Sequence, residues 1–229
     1  MRLLSHRGHH RHHIENTRAA FDAALNAGFA GLELDLRSLG DGTVVVFHDE
    51  DLWRLAGSRR LLHELDYSAA HQLFPQLLSL YEFVALYGRA ALEINFEIKD
   101  GLATLQAALP LMRQCRNAIV SSFERDVVVE ARSQGMRTAA LFEDKAQLLA
   151  APLGADFERV HLSCQLLPLF CGCAGLFTSQ AVYFFTVNDP TQARYISQLE
   201  GVAGFFTDNS ELLDLQRKPR PRRRLRKVS

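Results

Sequence analysis

The chain has 229 residues, 48% of them hydrophobic, enough for one sizeable core and ordinary for a single barrel domain. No apolar run reaches the roughly 18 residues of a membrane-spanning helix, and the N-terminus enters its first expected strand without a signal-like apolar region. The formal charge is zero, but eight of the 26 Lys/Arg fall in residues 217–229 with no acid among them, leaving a body near −8 and a tail near +8.

Four cysteines without zinc or disulfide spacing (Cys115, Cys164, Cys171, Cys173) point to reduced thiols and a cytoplasmic setting. A Pro-containing basic stretch cannot bury enough apolar surface to fold alone. Residues 215–229 are therefore expected to be a disordered tail following a barrel domain over 1–214. Peripheral contact of that tail with an anionic membrane is a possible use, and nucleic acid is a less expected partner.

Strand and helix signals alternate along the chain. Residues 3–5 form a first strand. Asn16 or Thr17 caps a helix that places Phe21, Ala24 and Leu25 on one face and stops at Gly28. Residues 32–37 read Leu-Glu-Leu-Asp-Leu-Arg, a period-two pattern with Glu33, Asp35 and Arg37 on one face. Two carboxylates about 7 Å apart on one strand face repel each other unless a cation or protons lie between them.

The turn 39–42 contains Asp41-Gly42 and is too short for a parallel crossover, so residues 43–47 must return antiparallel. With the turn centred on Gly40-Asp41 or Asp41-Gly42, His48 comes back opposite Glu33 or Asp35. A helix-rich connection spans 67–87. The strand 93–99 then alternates Glu93, Asn95, Glu97 and Lys99 against Ile94, Phe96 and Ile98, a pattern for solvent or for a charged barrel mouth. Further strands are expected at 118–123, 137–142, 159–163, 182–187 and 202–207. Helices are expected at 125–134 and at 190–199, the latter capped by Asp189 with Pro190 in its first turn. Setting the hairpin strand aside, eight strands alternate with helices, which predicts an α/β fold: a closed (β/α)₈ barrel with an extra hairpin strand after strand 2. Catalytic groups then belong at the C-terminal ends of the strands.

Several motifs in order carry a resemblance: His6-Arg7-Gly8, Glu15-Asn16-Thr17, Gly31-Leu32-Glu33-Leu34-Asp35, Val45-Val46-Phe47-His48-Asp49, Glu97-Ile98-Lys99, Ser121-Ser122-Phe123, Thr186-Val187-Asn188-Asp189 and Thr207-Asp208. Together they resemble the glycerophosphodiester phosphodiesterase family over residues 3 to about 214. The resemblance implies metal ligands at Glu33, Asp35 and Glu97, catalytic histidines at His6 and His48, and phosphate contacts from Arg7 and Lys99. Glu15 resembles a glutamate beside that site and is grouped with the substrate-binding residues.

It further implies hydrolysis of a glycerophosphodiester to glycerol 3-phosphate and an alcohol. Oxygen-only ligation suits Mg²⁺ or Ca²⁺, with Mn²⁺ also possible. Two alternatives remain open: a lysophospholipase-D-like activity on lysophospholipids, and a non-catalytic barrel scaffold whose basic tail binds membrane or nucleic acid.

The chain departs from the family pattern at Ile14, at Phe185 and in the run His9-His10-Arg11-His12-His13, which is expected to be a solvated loop, with a second metal site as the alternative. The uncharged stretch 166–177 is expected to pack on the barrel as a crossover. Its alternative is an apolar lip for an acyl chain, with Trp53 as another rim candidate.

Overall fold

The computed structural model describes residues 1–150, 157–177 and 179–217. Residues 218–229, which hold most of the expected basic tail, lie outside the described residues. Eight parallel strands close a ring: β1 (Arg2–Ser5), β2 (Gly31–Ser38), β3 (Glu93–Ile98), β4 (Ala118–Ser122), β5 (Arg137–Phe142), β6 (Arg159–Ser163), β7 (Ala181–Phe185) and β8 (Val202–Thr207). Closure comes from β1, which pairs with β2 on one side and β8 on the other. This is the expected (β/α)₈ barrel, with boundaries displaced by no more than two residues.

The first helix, Arg18–Ala27, shows how local chemistry sets these elements. The Thr17 side chain accepts from the Ala20 amide, satisfying a donor at the helix start, and Gly28 ends the helix in the left-handed region at φ 91°. Ala20, Phe21 and Ala24 are buried against the barrel, while Leu25 is only partly covered. Asp189 caps Pro190–Gln198 as expected, accepting from Gln192 N. Outward-facing Leu32, Leu34, Leu36, Ile94, Phe96 and Ile98 join the main core between strands and helices.

Between β2 and β3 the chain makes a longer excursion than its pattern predicts. Val44–Val46 pairs antiparallel with β2, Leu78–Ser79 pairs with Val44–Val46, and Asp51–Leu52 pairs with Ser58–Leu61. This excursion has its own apolar cluster, including Val45, Phe47, Leu52, Leu62 and Phe74.

The hairpin register needs a correction. Leu36 faces Val46 and Arg37 faces Val45, so the turn centres on Asp41 and His48 returns level with Leu34, between the two positions expected. Gly42, at φ +83°, closes a three-residue loop in which Leu39 N donates to Thr43 O.

The stretch 166–177 packs as a crossover. Leu166, Phe170 and Phe177 are buried, and the Phe170 ring meets Phe177 and Phe184 at 5.5 and 5.4 Å. Past β8, Gln216 accepts from Leu3 N at 3.1 Å and donates to Gly28 O at 3.3 Å, so the described chain stays attached to the barrel through that residue.

Candidate active site

Parallel pairing of β2 with β3 sets Glu33 beside Asn95 and Asp35 beside Glu97. All four side chains point into the barrel and are buried. Carboxylate oxygens of Glu33, Asp35 and Glu97 lie within 4.8 Å of one another, although their residues come from two strands. Glu93, on the same face of β3, does not join them. It sits toward the N-terminal end with Arg159 Nη1 at 2.7 Å and Arg2 Nη1 at 3.2 Å.

Two cations face this trio. Lys99 Nζ bonds Glu97 and lies 3.3 Å from Asp35, while Arg7 Nε lies 3.1 Å from Asp35. Burial works against ionising Asp35, but Arg7, Lys99, His48 and a 2.9 Å hydrogen bond from Asn16 Nδ2 hold it well below the usual carboxylate range. Glu33 behaves oppositely: burial, and then the charges of Asp35 and Glu97, push it well above that range.

One Glu33 oxygen accepts the Arg7 backbone amide at 2.8 Å, while Oε1 is buried with no hydrogen-bond partner. Three carboxylates face two cations, so the metal-free cluster is balanced only by the proton that Glu33 keeps, and the orphaned buried oxygen marks a deficit of positive charge. A hard divalent cation with oxygen ligands fits that deficit.

The loop after β1 delivers His6, Arg7 and Gly8. Arg7 takes a left-handed φ of 54°, which turns its amide toward Glu33. Gly8 follows at φ +79°, and a Cβ there would fall 2.7 Å from Ala20 Cβ, so both backbone and packing require glycine. His6 lies beside Asp208 because Ser5 pairs with Thr207 at the ring closure. Its Nδ1 meets Asp208 Oδ1 at 2.9 Å.

His48 has the same kind of support, its Nδ1 lying 2.7 Å from Asp49 Oδ1. In addition, Arg37 Nε holds the His48 carbonyl at 2.6 Å. A carboxylate on Nδ1 fixes the orientation of each ring. Arg37, expected on the Glu33–Asp35 face, thus serves the histidine loop and also bonds Asp100.

Glu15 does not touch the trio; it organises guanidinium groups. Its carboxylate accepts from Arg7 Nη1 at 3.0 Å and from Arg54 Nη2 at 2.6 Å. Burial raises its pKa, but the Arg54 and Arg7 contacts outweigh that and leave it lowered. Arg54 Nε also reaches Asp49 at 2.7 Å, linking Glu15 to the His48 support.

Sequence reasoning gave no role to Arg54, Asp49 or Asp208. Asp49 is the chain neighbour of His48. Asp208 follows from closure, since the residue after strand 8 must lie beside the residue after strand 1. Arg54 had no signal in the sequence.

Fold and rim together define a class: a (β/α)₈ barrel whose acidic groups and imidazoles gather at one mouth. The model of the Glycerophosphoryl diester phosphodiesterase family matches residues 6–80. A glycerophosphodiester phosphodiesterase of Bacillus altitudinis is 31% identical over 115 residues, covering 44% of this chain and 46% of that protein. Bovine glycerophosphodiester phosphodiesterase 1 is 33% identical over 149 residues, 56% of this chain and 44% of the relative. The chain thus spans about half the length of these curated relatives.

The crystal structure of a glycerophosphodiester phosphodiesterase from Thermotoga maritima superposes with a TM-score of 0.81 at 28% identity, covering 93% of this chain and 96% of that one. A phosphodiesterase from Oleispira antarctica, solved in complex with sn-glycerol-3-phosphate, shares the fold at a TM-score of 0.80 and 20% identity, covering 95% and 97% of the two chains. Over residues 6–80 the chain matches that family's model, and these relatives and structures support its placement among glycerophosphodiester phosphodiesterases.

Proposed function

We propose that the protein hydrolyses glycerophosphodiesters to glycerol 3-phosphate and an alcohol, with a divalent cation held by Glu33, Asp35 and Glu97. The observation that carries this reading is the trio itself: three buried carboxylates within 4.8 Å, one oxygen without a partner, and an imidazole on each flanking loop. The relative that binds sn-glycerol-3-phosphate on the same fold supports the product assignment. The oxygen-only donor set favours Mg²⁺ or Ca²⁺, with Mn²⁺ as a substitute. When bound, the ion supplies Lewis acidity at a phosphoryl oxygen and makes a nearby hydroxyl or water easier to ionise.

The chain's own groups do the rest. Burial disfavours charge on Arg7 and Lys99, yet the surrounding carboxylates keep both fully protonated, their pKa values raised. Both can therefore take up negative charge on the phosphoryl oxygens as it redistributes. Glu15 holds the Arg7 guanidinium in place for that purpose. His6 and His48, anchored through Nδ1, exchange protons through Nε2: one takes a proton from the nucleophile, and the other gives one to the departing alcohol. Four free cysteines support a cytoplasmic setting. No helix among the described residues is long and apolar enough to cross a membrane.

A second reading is lysophospholipid headgroup cleavage. It is favoured by Trp53, 54% exposed with Arg59 over its ring at 4.8 Å, and by a 44% identity over 64 residues to a human protein named lysophospholipase D. Release of glycerol 3-phosphate from glycerophosphocholine, set against choline release from lysophosphatidylcholine, separates the two readings. Each is measured with Mg²⁺, Ca²⁺ or Mn²⁺ and after chelation. Turnover of the first substrate that is lost on chelation is expected; turnover of the second alone would select the other reading, and no turnover of either would leave a scaffold.

A further inference from the structure

The loop 9–13 departs from the expectation of a solvated segment in a way that creates a second cluster of ligand atoms. His12 and His13 are exposed, but His10 returns to the barrel mouth. Its Nε2 lies 2.8 Å from Asp208 Oδ1, the oxygen that His6 Nδ1 approaches at 2.9 Å. The three ligand atoms lie within 4.8 Å of one another.

The cluster is held from outside. Asp208 Oδ2 accepts from Asn188 Nδ2 at 2.7 Å, and Asp208 N donates to Asn188 Oδ1 at 2.9 Å. Arg11 Nη1 donates to Asn209 Oδ1 at 2.9 Å and fastens the loop next to His10. Outer hydrogen bonds of this kind orient a ligating carboxylate. Side chains of His6, His10 and Asp208 are 19%, 23% and 20% exposed, so water can reach the centre of the group and complete a coordination shell.

Two imidazole nitrogens and one carboxylate oxygen make a donor set unlike the oxygen-only trio nearby. Hard ions such as Mg²⁺ prefer the latter, whereas borderline ions such as Zn²⁺ take nitrogen readily and need only three protein ligands and an open position. We propose that His6, His10 and Asp208 form a second divalent-cation site at the barrel mouth, selective for zinc-like ions over Mg²⁺. To bind, each ring moves its proton to the nitrogen facing away from Asp208, which frees a lone pair on His6 Nδ1 and His10 Nε2. Binding itself does not depend on the hydrolytic reading. Its consequence does: with His6 engaged as a ligand, proton transfer by that residue stops, so Zn²⁺ inhibits hydrolysis.

The test is calorimetric titration of ZnCl₂ into the full chain, stripped with chelator and then saturated with Mg²⁺. One Zn²⁺ per chain is expected to bind. His10→Ala is expected to weaken that binding by about tenfold or more, while His12→Ala and His13→Ala leave it as it was, each variant being checked for fold by circular dichroism. Absence of Zn²⁺ binding in the wild-type chain, or undiminished binding in His10→Ala, would overturn the proposal. In the hydrolysis assay, Zn²⁺ is expected to inhibit the wild-type chain at concentrations that His10→Ala tolerates. Zinc binding that depends on His10, in a chain that turns over no phosphodiester, would refute the hydrolytic reading and leave the zinc site standing.

Discussion

Strand β3 carries two buried glutamates four residues apart on one face, and their surroundings are opposite. Glu93 has both oxygens engaged, by Arg159 at 2.7 Å and Arg2 at 3.2 Å. Arg159 is capped in turn by the Tyr183 ring, 3.5 Å from the guanidinium carbon, and donates to His161 at 2.8 Å. Burial drives the His161 pKa well down, so it accepts that bond as a neutral ring. Glu97 instead shares its space with Glu33 and Asp35, and Lys99 and Arg7 balance the three only while Glu33 keeps its proton. At one end of the barrel interior the carboxylate is fully paired, although Arg159 Nη2 has no partner, and at the other a proton or a cation is needed to complete the balance. A complete buried ion pair is costly to break, whereas an incomplete one at the C-terminal mouth of the barrel is a candidate site of chemistry.

The largest expected effect lies at the Glu97 cluster. Glu97→Ala should lower kcat/KM for glycerol 3-phosphate release by about 10³-fold or more, with the circular dichroism spectrum unchanged. A loss below tenfold would show that the uneven charge balance has no part in turnover.

The Glu93 cluster should answer in stability. Glu93→Gln leaves Arg159 buried without its main counter-charge and should cost about 3 kcal/mol in urea unfolding, with kcat nearly preserved. Equal stability of variant and parent would remove the contrast between the two ends.

The carboxylates behind the histidines come next. Asp49→Asn and Asp208→Asn should each reduce kcat by about 10–100-fold with little change in KM, since they position imidazoles without binding substrate. An effect confined to KM would move them to substrate recognition.

The smallest effect concerns pH in the metal-free chain. Glu33 is held above its unfolded value, so above the ordinary glutamate range the folded state keeps a proton that the unfolded state has lost. Stability therefore falls as pH rises through that window. Thermal unfolding in chelator should show this decline in the wild-type chain and a flatter profile in Glu33→Gln. Added Mg²⁺ should raise the wild-type midpoint and leave that of Glu33→Gln largely unmoved.

Much of the barrel was legible because period-two alternation is a backbone property. Leu32 to Arg37 and Glu93 to Lys99 declare their two faces in the sequence, and parallel pairing then brings Asp35 to Glu97 without further information. The hairpin register was less accessible. Asp41 Oδ1 accepts from Thr43 N, and its other oxygen accepts from Tyr67 N at 3.0 Å, a distant partner that fixes which residue lies at the centre of the turn. Arg54 was hidden for a similar reason. It reaches Glu15 across 39 positions from a short helical turn whose place depends on the excursion's separate core. His10 read as one of several solvated histidines until ring closure set Asp208 beside the loop.

The most direct test of the charge deficit is anomalous diffraction from crystals of the full chain soaked in Mn²⁺. The expected result is one strong peak within about 2.5 Å of oxygens from Glu33, Asp35 and Glu97, accompanied by displacement of Lys99 from Glu97. A map with no peak there, and Lys99 still bonded to Glu97 under Mn²⁺ concentrations that support turnover, would contradict the account.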